Sequence, residues 1–211
     1  MRQVKLLYVL ALMALAFMIS LPLSAKPSNN CVPPKLPNLD KIPATLPYPP
    51  VTKVILGKLI IEFEQTPLGK AQRLAGTGII QHRGDAADSE DFICFTSGSQ
   101  RVWFSSGELG GSQHIIDAFY ASASNTALKD SRFCPELSQQ LRPISLGKIW
   151  LGASQENLKN WLGEPSTKRD GWWLYSYSGK VNQDFDEVAI MGARVVHGKV
   201  VALFASKSTT N

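Results

Sequence analysis

The chain has 211 residues, with 22 Lys and Arg against 17 Asp and Glu. Its net charge of +5 is thinly spread, and no Lys/Arg run exceeds two residues, which excludes the clustered basic stripe of a nucleic-acid-binding protein. The length bounds the fold to one ordinary domain or two small ones.

Residues 1–25 read as a secretory signal peptide. Arg2 and Lys5 give a positive start, an uncharged apolar run follows from Leu6 to about Leu23, and Ser24-Ala25 ends it with small residues. Cleavage after Ala25 removes 25 of the 211 residues and two of the positive charges, leaving 186 residues and a net charge of +3. The run is also just long enough to span a bilayer, so membrane attachment is expected only if this segment stays uncleaved. The expected destination is the periplasm, or secretion.

Residues 26–52 hold eight prolines, from Pro27 to Pro50. Proline fixes φ and removes a hydrogen-bond donor, so this stretch is expected to lack regular structure and to form a linker or a strap along the surface. Cys31 sits within it, eight residues beyond Leu23, unlike a lipidated cysteine that directly follows the apolar run.

A short pattern then occurs twice. Leu56-Gly57-Lys58-Leu59-Ile60 precedes Thr66-Pro67 and Gly76, and Leu146-Gly147-Lys148-Ile149-Trp150 precedes Ser154 and Gly163. The repetition points to one folding unit used twice, with residues 53–143 as the first repeat and its connector and residues 144–211 as the second. In the first, Thr66-Pro67 starts a helix and Gly76 ends it. Strands are predicted at Phe92–Thr96, Arg101–Ser105 and Gln113–Ala121, and a short helix within the connector at Pro135–Leu141. In the second, Ser154 caps a helix whose Leu158, Trp161 and Leu162 form an apolar stripe, stopped by Gly163 and Pro165. That stripe is expected to pack behind Leu174 or Phe204. Strands follow at Trp172–Tyr177, Val188–Val196 and Lys199–Ala205, the last two joined by the His197-Gly198 turn. The predicted fold class is therefore α+β: two tandem repeats, each a helix plus a three-stranded antiparallel sheet, side by side around a shared core.

The second repeat resembles the BamE/SmpA–OmlA-like unit of bacterial envelope proteins. The likeness rests on Gly152-Ala153-Ser154 at the helix start, Leu162-Gly163-Glu164-Pro165 at its end, the Tyr175- and Tyr177-bearing strand, and Gly198-Lys199-Val200 in the hairpin. Two such units in one exported chain also resemble the β-lactamase inhibitor protein (BLIP-like) family. The resemblance implies helices packed on an antiparallel sheet and a role in protein binding. These motifs are mostly structural punctuation and identify a fold more than a function.

Three cysteines, Cys31, Cys94 and Cys134, allow three single pairings. Cys94–Cys134 is the expected disulfide, because both residues belong to the first repeat, and export leads to an oxidising compartment. For chemistry the sequence offers little. There is no Gly-x-Ser-x-Gly, and the Gly-rich run Ser105–Gly111 leads into a strand instead of a helix, so it is no phosphate cradle. No catalytic residue, cofactor site or metal site is assigned.

The aromatic residues are the better lead. Trp172 and Trp173 are adjacent in one strand and so face opposite ways. Trp173, Tyr175 and Tyr177 then share a face that could serve a partner protein. The expected function is a non-enzymatic, exported protein-binding module, an envelope-assembly accessory or inhibitor-like protein whose partner is another envelope or secreted protein. The alternative is an envelope hydrolase or metal-binding protein using His82, His114 and the acidic loop 85–91, which carries Asp85, Asp88, Glu90 and Asp91. A deep pocket gathering His114, Glu108 and Asp85 would favour the enzyme; an open aromatic sheet face would favour binding.

Overall fold

A computed structural model describes residues 31–85, 89–124 and 132–211. The signal segment and Asp88 lie outside the described residues.

Strands dominate the chain. The first half runs β1 (Lys53–Leu56), β2 (Leu59–Glu62), helix α1 (Leu68–Ala75), β3 (Gln81–Arg83), β4 (Glu90–Ser97), β5 (Gln100–Ser106) and β6 (Ala118–Ala123). The second half adds β7 (Ile144–Leu146), helix α2 (Gln155–Leu162), β8 (Thr167–Arg169), β9 (Trp172–Lys180), β10 (Asp186–Val196) and β11 (Lys199–Thr210). β2-β1-β7 make a small sheet, and the other eight strands make one large sheet in the order β3-β4-β5-β6-β11-β10-β9-β8. Every pairing between these strands is antiparallel.

This architecture overturns the expected α+β pair of helix-plus-three-stranded units. Each half gives four strands to the large sheet, and the sheet is continuous. β6 and β11 would be bare edges in separate units. Paired with each other, Tyr120 opposite Phe204, they satisfy their backbone donors and acceptors and remove two open edges. The small sheet also joins the halves, since β1 pairs with β7 and places Val54 opposite Leu146. The strands missed in the sequence are three or four residues long, too short to display an alternating pattern.

The repeated Leu-Gly-Lys pattern marks two tight turns. Gly57 and Gly147 both have φ of 59°. A Cβ on Gly57 would lie 2.2 Å from the Gln140 carbonyl oxygen, and one on Gly147 would lie 2.3 Å from the Trp161 ring. Positive φ and close approach both require glycine here. The connector forms a single 3-10 turn at Gln139–Leu141, in place of the expected helix. The third strand, expected from Gln113, begins only at Ala118, and Glu108–Gln113 before it is a 3-10 turn broken at Gly111.

Alternation along the large sheet gives it two apolar faces. On one, Ile93, Phe104, Phe119, Ala205, Met191 and Tyr175 occupy successive strands in register, and they pack with α1, α2 and the small sheet into the main core. Leu158 of α2 is fully buried there, and Trp161 and Leu162 are half-buried against the same core. Ser154 caps α2 by accepting the Asn157 backbone N–H at 3.1 Å. Leu174 and Phe204, expected behind this helix, point to the other face instead. α1 starts at Pro67 with no side-chain cap, and Thr66 Oγ1 accepts the Glu62 N–H at 3.0 Å.

The second face carries the row Cys94, Trp103, Tyr120, Phe204 and Leu174, with Phe92, Trp172 and Ala202 beside it. The Pro-rich segment covers it. Cys31 is buried in this cluster, and Val32, Leu36, Leu39 and Ile42 pack against it. The segment has no regular strand or helix between residues 32 and 52, as its prolines require. Side chains of the sheet hold its backbone instead. Trp103 donates its indole N–H to the Cys31 carbonyl at 2.9 Å, Arg83 on β3 donates to the Pro33 carbonyl at 3.1 Å, and Arg169 on β8 donates to the carbonyls of Asn38 at 2.5 Å and Asp40 at 3.2 Å. Thr45 and Leu46 then donate to the Ser176 carbonyl, both at 3.1 Å. The segment is a strap from one edge of the sheet to the other. Val51, at its end, is buried in the main core.

Candidate functional site

The expected aromatic strip is largely closed. Tyr175 is fully buried, and its hydroxyl donates to the Gly163 carbonyl at 3.4 Å. Burial, with the Glu164 charge as a smaller cause, raises the pKa of that phenol. It therefore cannot contact a partner. Trp173 is half-buried, with the Lys168 ammonium 4.3 Å and the Lys159 ammonium 5.7 Å from its ring centroid. Tyr177 is also half-buried, and its hydroxyl lies where a Cβ on Gly179 would stand. On the opposite face, Trp103, Tyr120, Trp172 and Phe204 are sealed under the strap. Neither side of the sheet's centre is an open aromatic surface.

Apolar exposure is found where the sheet runs past the strap. β9 and β10 extend to a turn in which Val181 donates its N–H to the Phe185 carbonyl at 2.9 Å, and the Asn182 side chain accepts the N–H groups of Asp184 and Phe185. These bonds fix the turn. At its tip Val181 is 56% exposed and Phe185 40%, and Val188 on β10 is 36% exposed. Lys180 and Asp186 pair across the hairpin just below, at 3.0 Å. The sequence reading passed over these residues. The available signal was a pair of large apolar residues flanking the polar triplet Asn182-Gln183-Asp184.

Polar groups gather at the β4–β5–β6 end of the sheet. Glu90, Glu108, Asp117, Ser105 and Tyr120 line an open cavity of about 370 Å³. A second cavity of about 250 Å³ shares Asp117 and Leu109 and adds Glu64, Lys207 and Thr209. Burial pushes the Asp117 carboxyl up to about 6; the Gly107 N–H, bonded to it at 2.9 Å, offsets part of that, and the charges of Glu90 and Glu64 add to it. For Glu64, burial acts to raise the pKa, but the hydrogen bonds from Lys207 and Thr209 outweigh it, and the carboxyl is held below its usual range. Lys207 answers in kind: burial acts against its charge, while Glu64 at 2.8 Å and Glu187 at 2.9 Å raise its pKa on balance.

Two of the three histidines meet nearby. His82 Nδ1 lies 3.2 Å from one oxygen of Asp91, and His114 Nδ1 lies 3.0 Å from the other. Each imidazole takes its own carboxylate oxygen, and among the described residues no group of three His, Cys, Asp or Glu converges on a position that could hold a metal ion. Neither His114 nor Asp85 lines the cavity that contains Glu108. Glu90 lines that cavity and pairs with Arg83. Of the residues named for the enzyme alternative, His82, His114 and Asp91 of the acidic loop come together, while Glu108 lies in a cavity lined by neither His114 nor Asp85. His197 occupies the β10–β11 turn with φ of 48°, followed by Gly198 at 72°.

Cys94 and Cys134 form a disulfide, and Cys31 lies outside it. The bond is consistent with an exported protein. Among the described residues no helix is long and apolar enough to cross a membrane.

No family model and no curated protein sequence matches the chain. Among solved structures, a candidate β-lactamase inhibitor protein from Streptococcus mutans matches over 69% of this chain and 83% of its own, at 12% identity and a TM-score of 0.25. A likeness at that score supports no argument about this chain's fold or role, and the BamE-like resemblance finds no support in these comparisons.

Proposed function

We propose that this chain is an exported, non-enzymatic protein-binding module that engages another envelope or secreted protein through the tip of the β9–β10 hairpin. The observation that carries this reading is the exposure of Val181 and Phe185 on a hydrogen-bonded turn, with Val188 exposed on the adjoining end of β10. Large apolar side chains presented together on a rigid element favour association with another surface, because burying them removes apolar area from water. Trp173 and Tyr177, half-buried further along β9, extend the contact, whereas Tyr175 supports it from within the core. Residues 1–25 act as the export signal in this reading, with the periplasm or the exterior as destination. An envelope-assembly accessory and an inhibitor-like protein are the two roles it allows.

The test compares the parent protein with a Val181→Ser/Phe185→Ser variant, each immobilised and exposed to the envelope and secreted fractions of its source. The reading expects a protein retained by the parent and lost by the variant, with thermal melts unchanged between the two. Equal retention by both would remove the hairpin tip from the function.

A further inference from the structure

We propose that the two cavities sharing Trp161 form one binding site for the C-terminal end of a peptide, with its carboxylate at Lys148 and its apolar last side chain between Trp161 and the strap. The site is separate from the β9–β10 hairpin tip. One cavity, of about 300 Å³, is lined by Lys148, Asn157, Asn160 and Trp161. The other, of about 320 Å³, is lined by Trp161 and Leu162 of α2 and by the strap from Leu46 to Pro50. Trp161 is fixed between them. Its ring lies against the Gly147-Lys148 turn, where a Cβ on Gly147 would stand 2.3 Å from Cζ2 and 3.5 Å from Cε2, the atom bonded to the indole nitrogen. Leu146 and Ile149 close that turn with two backbone bonds of 3.2 Å. The strap wall is held at both ends. Leu46 donates to the Ser176 carbonyl at 3.1 Å, and Val51 is buried in the main core. Pro47, Pro49 and Pro50 stiffen the stretch between. Tyr48, also in that stretch, is 76% exposed.

The two halves of the site differ in chemistry. Asn157, Asn160 and Trp161 follow the helical spacing i, i+3, i+4 and share one side of α2. The Asn157 side-chain oxygen takes the Ser154 hydroxyl, and its NH2 group has no partner among the described residues. The Trp161 indole N–H and the Lys148 ammonium likewise have no acceptor there. By contrast, the indoles of Trp103 and Trp150 donate to Cys31 and Gln100, both at 2.9 Å, and Lys159, Lys180 and Lys207 pair with carboxylates. No acidic side chain lines either cavity. The polar half thus offers donors and a positive charge, which suit an anion rich in acceptors. The other half is apolar apart from the Tyr48 hydroxyl and suits a hydrophobic group beside that anion. Asn160 adds an amide with both a donor and an acceptor, the pair that a peptide group matches. A peptide ending in a large apolar residue carries carboxylate, amide and hydrophobic group within one residue. A fatty acid carries the first and the last and leaves the amide unmatched.

Titration of the isotope-labelled protein with the dipeptide N-acetyl-Ala-Phe tests the site by NMR. The signals to follow are the Trp161 indole N–H and the Asn157 and Asn160 side-chain amides. All three should shift together and saturate. The same dipeptide capped as its C-terminal amide should bind at least about fivefold more weakly. Lys148→Gln should cost the free acid a similar factor and leave the amide unaffected. Tyr48→Ser should weaken both ligands. Lys148 and Tyr48 are exposed, so thermal melts of the variants should match the parent. A Trp161 indole signal that stays in place with the free acid in large excess would overturn the proposal. Equal binding of acid and amide, or undiminished binding of the acid by Lys148→Gln, would do the same. Decanoate bound as tightly as the dipeptide would replace the peptide with a lipid and overturn it equally.

Discussion

The two faces of the eight-stranded sheet are closed by different physics. On the main-core face, Phe104, Phe119, Met191 and Leu203 are covered by two helices and a second sheet, elements with regular backbone hydrogen bonding of their own. On the other, Trp103, Tyr120 and Phe204 are covered by a strap with few internal bonds, whose carbonyls are taken up by Trp103, Arg83 and Arg169 of the sheet itself. The first face is set by packing among regular elements. The second is a segment bound to a surface, and it resembles an intramolecular ligand. The comparison teaches that an apolar, aromatic sheet face is no evidence of an open binding site when a proline-rich segment elsewhere in the chain is long enough to cross it.

This difference predicts different responses to substitution. Phe119→Ala on the main-core face removes a fully buried ring and should lower global stability by about 3–5 kcal/mol in denaturant melts. A loss below about 1 kcal/mol would show that this face is not the one on which folding depends.

Asp117, at the polar end of the sheet, sharpens the contrast by a pH effect. Its folded-state pKa, about 6, lies above the ordinary value of 3.8, so the folded protein binds this proton more tightly than the unfolded one does. Stability from this group is fully present below about pH 4 and is lost as pH rises to about 6. Asp117→Asn, which retains an acceptor for the Gly107 N–H, should therefore be more stable than the parent at pH 7.5, by up to about 3 kcal/mol, and nearly equal to it at pH 4. A constant difference across that range would mean the carboxyl is not held in its neutral form by burial.

Smaller global effects are expected on the strap. Arg169→Ala should cost about 1 kcal/mol or less in a melt, since the lost bonds are partly exposed, yet it should speed proteolytic cleavage within residues 31–50. Unchanged cleavage would show that Arg169 does not hold the strap down. Ser154→Ala should cost about 1 kcal/mol through loss of the α2 cap, with strap cleavage unaffected.

Punctuation and periodicity were legible in the sequence. Ser154 and Gly163 bound α2 as expected, Gly198 lies in a two-residue hairpin turn, and the seven prolines from Pro33 to Pro50 leave residues 32–52 without regular structure. The Cys94–Cys134 bond was legible because Cys94 lies in a strand of the first repeat and Cys134 follows the last strand of the same repeat. What the sequence did not reveal is pairing between distant elements. Nothing local to Ala118–Ala123 or Lys199–Thr210 says that β6 and β11 adopt each other, or that Lys53–Leu56 pairs with Ile144–Leu146. For the same reason Tyr175 read as a surface residue: alternation puts it on a face with Trp173 and Tyr177 but does not say that α2 covers that face. The hairpin tip was missed because Val181 and Phe185 lie between the predicted strands Trp172–Tyr177 and Val188–Val196, in a segment with no pattern of its own.

Hydroxyl-radical footprinting of the folded protein tests the sealed face most directly. With Tyr48, 76% exposed, as the internal reference, Trp103 and Trp172 should be strongly protected in the parent protein. Oxidation of both tryptophans as readily as Tyr48 would mean that the strap does not cover the sheet, and that the aromatic face is open after all.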